Sequence, residues 1–102
     1  MGVKVVWSEP ALEELGQALE YIAFDQPAAA RGLWQQARAA TRNLRRYPLK
    51  GRMVPEYQDP AIRELIVGPL RLIYTTEEPG IATILAAVRS ERLLDPGGIG
   101  GH

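Results

Sequence analysis

The fold is decided by residues 63–74, which read Arg-Glu-Leu-Ile-Val-Gly-Pro-Leu-Arg-Leu-Ile-Tyr. Two short apolar runs flank the pair Gly68-Pro69, and the side chains of each run alternate between two faces, which predicts a β-hairpin. Each run carries an arginine, Arg63 in the first and Arg71 in the second. A charge inside an apolar strand is unfavourable unless it is paired or reaches water. These arginines are therefore the first candidates for function.

A third strand is predicted to follow the hairpin. Residues 77–80, Glu-Glu-Pro-Gly, suit a type II turn, because proline fits its first central position and glycine its second. Residues 81–88 form a nearly continuous apolar run, as expected of a central strand that is covered on both faces. The second half of the chain is thus predicted to be a three-stranded antiparallel meander.

Two helices are predicted before the meander. Residues 3–7 are a short β-rich run, and Ser8 is a good N-cap for a helix whose apolar residues recur every three or four positions. Pro27 ends that helix near Asp25 and opens a second one that continues to about Arg46. The connection between them is short enough only for a helical hairpin.

The predicted fold class is α+β: an N-terminal strand, a helical hairpin and a three-stranded antiparallel meander, with the sheet packed on the two helices. The loop over residues 47–60 is rich in turn formers, and one extended piece is expected at Met53 to Tyr57. The N-terminal strand would extend the sheet to four strands, but its neighbour is left open. We expect one domain over residues 1–94 and a glycine-rich tail over residues 95–102.

Composition excludes several kinds of chemistry. The 102 residues include no cysteine, which removes disulfides, thiol catalysis and the usual zinc sites, and which is typical of a protein in a reducing cytoplasm. The one histidine is His102, so a histidine general base is not expected. The sequence contains no phosphate-binding glycine motif and no apolar stretch of membrane-spanning length. We therefore expect no metal, no cofactor and no membrane partner.

The formal net charge is zero, but acidic and basic residues lie in different parts of the chain. The first predicted helix carries acids and the second carries arginines, which predicts that the helices face each other with complementary charge. This interpretation is favoured over a nucleic-acid patch on the second helix. The acidic block comprises Glu9, Glu13, Glu14, Glu20 and Asp25, and the basic block comprises Arg31, Arg38, Arg42, Arg45, Arg46, Lys50 and Arg52.

The main candidate site consists of arginines on the strands or at their ends, namely Arg63, Arg71 and Arg89, with Arg52 and Glu56 in the preceding loop. Arginine binds phosphate through two parallel hydrogen bonds, so three arginines on an exposed sheet face would suit an RNA backbone or an acidic protein surface. The alternative is structural: Arg63 pairs with Glu56 or Glu64, and Arg71 points into solvent.

Tyr74, at the end of the hairpin, also has two interpretations. Its ring would stack on a base, or its hydroxyl would assist proton transfer, if the sheet face were a binding site. A tyrosine on a strand is more commonly a core residue whose hydroxyl finds a hydrogen-bond partner. The core interpretation is favoured.

These features together resemble the RelE/ParE superfamily of bacterial toxins from toxin–antitoxin systems. The resemblance covers the chain from Val3 to about Leu94 and rests on the order and spacing of several segments rather than on one motif. The segments are Val6-Trp7-Ser8-Glu9-Pro10-Ala11, Glu20-Tyr21-Ile22-Ala23, Pro27-Ala28-Ala29-Ala30, Leu44-Arg45-Arg46-Tyr47-Pro48, Gly51-Arg52-Met53-Val54-Pro55-Glu56, Arg63-Glu64-Leu65, Leu70-Arg71-Leu72-Ile73-Tyr74 and Ile84-Leu85-Ala86-Ala87-Val88-Arg89.

The resemblance implies a toxin that a cognate antitoxin holds inactive in a hetero-oligomer. RelE-like members cleave mRNA on the ribosome, whereas ParE-like members block DNA gyrase without nuclease chemistry. On the nuclease alternative, the matching positions Glu56, Arg71 and Tyr74 would be the catalytic residues. Many members carry a histidine after the last strand, where this chain has Ser90.

The serine at that position favours the ParE-like branch, as do the Pro-Ala-Ala-Ala opening of the second helix and the Gly-Arg-Met-Val-Pro-Glu loop. We therefore expect a cytoplasmic gyrase inhibitor that is not an enzyme. A ribosome-dependent mRNA endonuclease is the alternative, and a non-toxic module that binds the antitoxin is the second alternative. The residues expected to contact the target or the antitoxin are Arg52, Arg63, Arg71, Arg89 and Arg92.

Overall fold

Two helices and a five-stranded mixed sheet make up the protein, as a computed structural model shows for residues 2–90. The elements in chain order are β1 (Lys4–Trp7), α1 (Glu9–Asp25), α2 (Pro27–Asn43), β2 (Arg52–Met53), β3 (Ile62–Val67), β4 (Leu70–Thr75) and β5 (Ile81–Arg89). The strand order in the sheet is β1-β5-β4-β3-β2. The predicted α+β class is confirmed. The predicted tail at residues 95–102 lies outside the described residues.

The sheet has five strands rather than the expected four. β1 takes its place beside β5 and runs parallel to it, whereas all other neighbours are antiparallel. The fifth strand is β2, whose two residues pair with Arg63 and Glu64 on β3. It overlaps the extended piece predicted at Met53 to Tyr57 only at Met53. The rest of that prediction is wrong, because residues 55–57 form a turn in which the Tyr57 amide donates to the Val54 carbonyl at 3.1 Å.

The helix starts follow from local chemistry. Ser8 caps α1, and its hydroxyl accepts a hydrogen bond from the Ala11 amide at 3.2 Å. Pro27 opens α2 one residue after Gln26, so the two helices form the predicted helical hairpin. α2 ends at Asn43, three residues before the predicted end, because residues 44–46 form a tighter turn bonded to carbonyls three residues earlier.

The predicted hairpin over residues 63–74 is confirmed. Gly68 adopts a φ of +56°, as a type II′ turn requires at its first central position, and Val67 pairs with Leu70 across it. The following turn is also confirmed: Gly80 has a φ of +79°, and the Ile81 amide donates to the Glu78 carbonyl at 3.1 Å. Two short turns thus fix the alignment of β3, β4 and β5.

Apolar side chains cover both faces of the sheet. The face toward the helices carries most of the core, including Leu15, Leu33, Val67, Leu70, Leu72 and Ala87 in one cluster and Ala11, Leu44, Tyr74, Ala82 and Ile84 in another. The far face carries a smaller cluster of Val54, Ile73 and Ala86. β5 contributes Ala87 to one face and Ala86 to the other, which confirms a strand covered on both sides. The loop around Val54 therefore shields part of the far face from water.

The predicted charge complementarity between the helices does not take the form of ion pairs. Within residues 2–90, every ion pair involves Arg52 or Arg71, and none joins α1 to α2. The helices are instead held by apolar contacts, as Leu15 and Ile22 of α1 pack in the same cluster as Leu33 of α2. The arginines of α2 are thus left without acidic partners in the described part of the chain.

Candidate functional site

Arg71 lies at the centre of the far face of the sheet, where it is only 5% exposed. Its Nε donates to Glu64 Oε1 at 2.6 Å, and its two terminal nitrogens donate to the two carboxylate oxygens of Glu56, each at 2.8 Å. The paired hydrogen bonds to Glu56 raise the pKa of Arg71 above its ordinary value, against the desolvation that lowers it. Arg71 therefore remains charged, with its donors directed at protein carboxylates.

Glu64 connects this arginine to a second one. Glu64 is 1% exposed, and the other oxygen of its carboxylate accepts a hydrogen bond from Arg52 Nε at 2.5 Å. Arg52 stands directly across from Glu64 in the β2–β3 pair, which brings the two side chains to the same face. The ionic network therefore consists of Glu56, Arg71, Glu64 and Arg52, in which acids and bases alternate.

The network is internally balanced, with two acids and two bases. No buried side-chain nitrogen or oxygen in residues 2–90 lacks a hydrogen-bond partner. Only Arg52 reaches far into solvent, with a side chain that is 65% exposed. Removing one member of a buried ion pair would leave an uncompensated charge.

Tyr74 lies on the opposite face of the sheet and is fully buried. Its hydroxyl donates to the Pro48 carbonyl at 2.7 Å and accepts from the Gly51 amide at 2.9 Å. Burial raises the pKa of Tyr74 above its ordinary value, although the hydrogen bond from Gly51 and the charge of Arg63 lower it. The phenol thus ties the loop after α2 to the sheet.

The loop after α2 has room only for a glycine at position 51, next to Tyr74. A Cβ atom there would lie 2.6 Å from the Glu64 carbonyl oxygen and 2.7 Å from the Tyr74 hydroxyl oxygen. Both distances are shorter than any ordinary contact of a Cβ atom, and the neighbouring groups are held by the sheet. Only a glycine lets this loop approach β3 and β4 so closely.

The other predicted arginines lie apart from the ionic network. Arg63 holds the same loop from a different side, donating to the Pro60 and Gly51 carbonyls, each at 2.9 Å. Arg89 is exposed at the end of β5, with its guanidinium 5.0 Å from the centre of the Tyr21 ring. Arg92 lies outside the described residues. Of the predicted set, the structure brings together Arg52, Glu56 and Arg71, and it separates them from Tyr74 and Arg89.

Sequence reasoning missed one member of the network, Glu64. It had been considered only as a partner for Arg63, but Arg63 bonds to backbone carbonyls and Glu64 pairs with Arg71 instead. A usable signal existed, because the hairpin register places Glu64 diagonally across from Arg71 on the same face. The structural alternative was therefore wrong on both arginines: Arg63 donates to backbone carbonyls instead of pairing with Glu56 or Glu64, and Arg71 is buried between these two acids instead of pointing into solvent.

Residues 2–90 contain no group of three or more acidic, histidine or cysteine side chains placed to hold a metal ion. Within the same residues, neither helix is long and apolar enough to cross a membrane.

Similarity to known proteins agrees with this fold. The family model described as the ParE toxin of the type II toxin–antitoxin system, parDE, matches residues 5–93. A solved structure titled "Chromosomal ParDE TA system from P. aeruginosa" superposes with a TM-score of 0.72 at 18% sequence identity, over 87% of this chain and 97% of that chain. At that identity the structural likeness shows the fold alone. No curated protein matches the chain significantly. Because the family model covers nearly the whole domain, this chain belongs to the family of ParE toxins of type II toxin–antitoxin systems.

Proposed function

We propose that this toxin inhibits DNA gyrase by binding it in the cytoplasm, and that a cognate antitoxin neutralises the toxin in a hetero-oligomer. The family assignment supports a toxin that has an antitoxin partner. The choice of gyrase over mRNA as the target rests on the ParE-like character of the sequence and on one structural observation.

That observation is that the three residues of the nuclease alternative, Glu56, Arg71 and Tyr74, are already hydrogen-bonded to other groups of the protein. Both carboxylate oxygens of Glu56 hold Arg71, Arg71 is nearly buried, and the Tyr74 hydroxyl is bonded to two backbone groups inside the core. A general acid or base must come within hydrogen-bonding distance of the proton that it transfers, and a phosphate-binding arginine must reach the phosphate. These three side chains instead stabilise the fold, which supports an inhibitor that works by binding.

The antitoxin is proposed to supply an amphipathic segment to the groove between α1 and the sheet. This groove has a volume of about 760 Å³ and is lined by apolar side chains that include Ala18, Ile22 and Leu70. Charged groups lie at its edge, Glu14 on α1 and Arg89 on β5. An apolar floor with charged edges suits one face of an amphipathic helix or strand.

A supercoiling assay tests the proposal. Purified toxin is titrated into gyrase with relaxed plasmid and ATP, and we expect supercoiling to fall with toxin concentration. Adding the antitoxin, the protein encoded beside the toxin gene, should restore supercoiling, because it would bind the toxin and keep it from gyrase. The Arg89→Ala variant should require a higher concentration, since Arg89 is an exposed member of the predicted contact set.

The same purified toxin distinguishes gyrase inhibition from the two alternative functions. Toxin that leaves supercoiling unchanged but cuts mRNA on ribosomes would be a RelE-like endonuclease, and the gyrase proposal would fail. Toxin that does neither, and whose expression without antitoxin leaves growth unchanged, would be a non-toxic antitoxin-binding module. Failure to recover any small partner with the expressed toxin would count against the antitoxin groove.

A further inference from the structure

A row of arginines runs along the exposed side of α2. Arg31, Arg38 and Arg42 lie 7 and 4 positions apart, and at 100° per residue they fall within about 40° of one another around the helix. Arg45 and Arg46 extend the row into the turn after the helix, and all five side chains are exposed. We call these five residues the α2 basic stripe. Its helical part is about 16 Å long.

The α2 basic stripe has no neutralising acid in the described part of the chain. Residues 26–55 contain no aspartate and no glutamate. The ion pairs within residues 2–90 all use Arg52 or Arg71, so none belongs to the stripe. The acids of α1 form no ion pair with α2 in residues 2–90. A chain with zero formal net charge thus presents an unneutralised positive surface on one side.

Trp34 lies beside the stripe and orients one of its members. Trp34 is 40% exposed, and the Arg38 guanidinium lies 5.6 Å from the centre of its ring. A guanidinium held over an aromatic ring keeps its hydrogen-bond donors while losing some of its mobility. Arg38 is therefore partly preorganised to bind an anion.

We propose that the α2 basic stripe binds the phosphate backbone of duplex DNA without regard to sequence. Duplex DNA carries one charge per about 1.7 Å, so about ten phosphates lie along the 16 Å of the helical part of the stripe. An acidic partner helix would present only about three carboxylates over that length on one face, at one per helical turn. The three helical arginines are spaced about one per 5.5 Å, so on duplex DNA each of them meets a phosphate in any register. A helix with about three carboxylates would have to align in a single register, and arginine binds phosphate bidentately.

This contact is independent of the gyrase proposal. It involves the arginines on the solvent-facing side of α2, whereas the gyrase proposal names Arg89 at the end of β5. Binding through phosphates alone should depend strongly on salt and little on base sequence, because no described side chain needs to enter a groove.

Fluorescence anisotropy of a labelled duplex of about 20 base pairs tests the proposal with the full chain. We expect the logarithm of the association constant to fall linearly with the logarithm of salt concentration, with a slope of about −3 to −4.5 for three to five neutralised phosphates. Two duplexes of unrelated sequence should give the same affinity. Arg38→Gln should reduce the slope by about one and Arg38→Gln/Arg42→Gln by about two.

Lys4→Gln is the matched control, because it removes one exposed positive charge on β1 and leaves the stripe intact. It should leave the slope unchanged. No binding at about 50 mM salt, or the same slope change in Lys4→Gln and Arg38→Gln, would overturn the proposal. Polyglutamate that displaces the duplex at equal concentrations of charge would also overturn it, since the stripe would then be a site for acidic protein. Circular dichroism confirms that each variant is folded before it is titrated.

Discussion

Arg71 and the arginines of α2 carry the same guanidinium group in opposite surroundings. Arg71 is buried on the far face of the sheet and is held by Glu56 and Glu64. The arginines of the α2 basic stripe are exposed and have no acidic partner within residues 2–90. The first kind contributes to the fold, and the second kind is available to a ligand.

The role of an arginine in this protein is decided by its partners. Arg71 belongs to a sequence segment that first suggested a catalytic or recognition surface, yet both neighbouring acids use its donors. The arginines of α2 were interpreted as a face complementary to α1, yet no ion pair joins the two helices in the described chain. Four experiments compare how much the buried, partnered side chains and the exposed arginines contribute to stability, from the largest expected effect to the smallest.

Arg71→Ala should have the largest effect on stability. The change leaves the Glu64 carboxylate buried without Arg71 and releases Glu56 from its two hydrogen bonds. Removing one member of a buried ion pair typically costs about 3–5 kcal/mol of unfolding free energy. Urea unfolding followed by tryptophan fluorescence measures it. The double variant Glu64→Gln/Arg71→Met should recover most of the loss, because it removes the stranded charge. A loss of unfolding free energy below about 1 kcal/mol for Arg71→Ala would contradict this account, because it would show that Arg71 contributes no more to stability than a solvent-exposed ion pair does.

Tyr74→Phe should have the next largest effect. It deprives the Pro48 carbonyl and the Gly51 amide of their shared partner inside the core. Leaving buried polar groups unsatisfied costs about 1–3 kcal/mol. Tyr47→Phe is the matched control, since the Tyr47 side chain is 54% exposed. Equal losses in the two variants would show that the Tyr74 hydroxyl does not tie the loop to the sheet.

Alkaline pH should produce a smaller effect through the same residue. Because the pKa of Tyr74 is raised on folding, its contribution to stability is fully present below the unfolded value of 10.0 and is lost as pH rises through the folded value. The slope is at most about 1.4 kcal/mol per pH unit. Wild type should therefore lose its stability advantage over Tyr74→Phe above about pH 10. A difference between them that stays constant from neutral to strongly alkaline pH would contradict this assignment.

Arg38→Gln/Arg42→Gln should have the smallest effect on stability. Surface substitutions that break no buried contact usually change the unfolding free energy by less than about 0.5 kcal/mol. The same urea experiment provides the measurement. A loss comparable to that of Arg71→Ala would mean that these arginines also contribute to the fold, and the contrast between the two sets would disappear.

Much of the fold was predictable because short-range chemistry determines it. Gly68 and Gly80 supply the positive φ values of the two hairpin turns, and Ser8 and Pro27 mark the starts of the helices. β2 was harder to predict, because two residues are too few to show alternation. The choice of β5 as the neighbour of β1 is a long-range pairing, and local sequence does not encode it.

The candidate site was only partly predictable for the same reason. The pairing of Glu64 with Arg71 follows from the register of a two-residue turn. The approach of Glu56 depends on an irregular loop, in which Gln58 adopts a φ of +53°, and no periodic pattern predicts that path. The partners of Tyr74 are backbone groups of Pro48 and Gly51, so no pattern of side chains could identify them.

Arg71 stabilises the fold through Glu56 and Glu64, and we propose that gyrase inhibition depends on other residues. The most direct test is a gyrase supercoiling titration that compares wild type with the folded Glu64→Gln/Arg71→Met variant. Equal half-inhibitory concentrations are the predicted result, since a buried arginine does not contact the target. Loss of inhibition in a variant that retains its fold and stability would contradict the claim and would assign Arg71 to the functional surface.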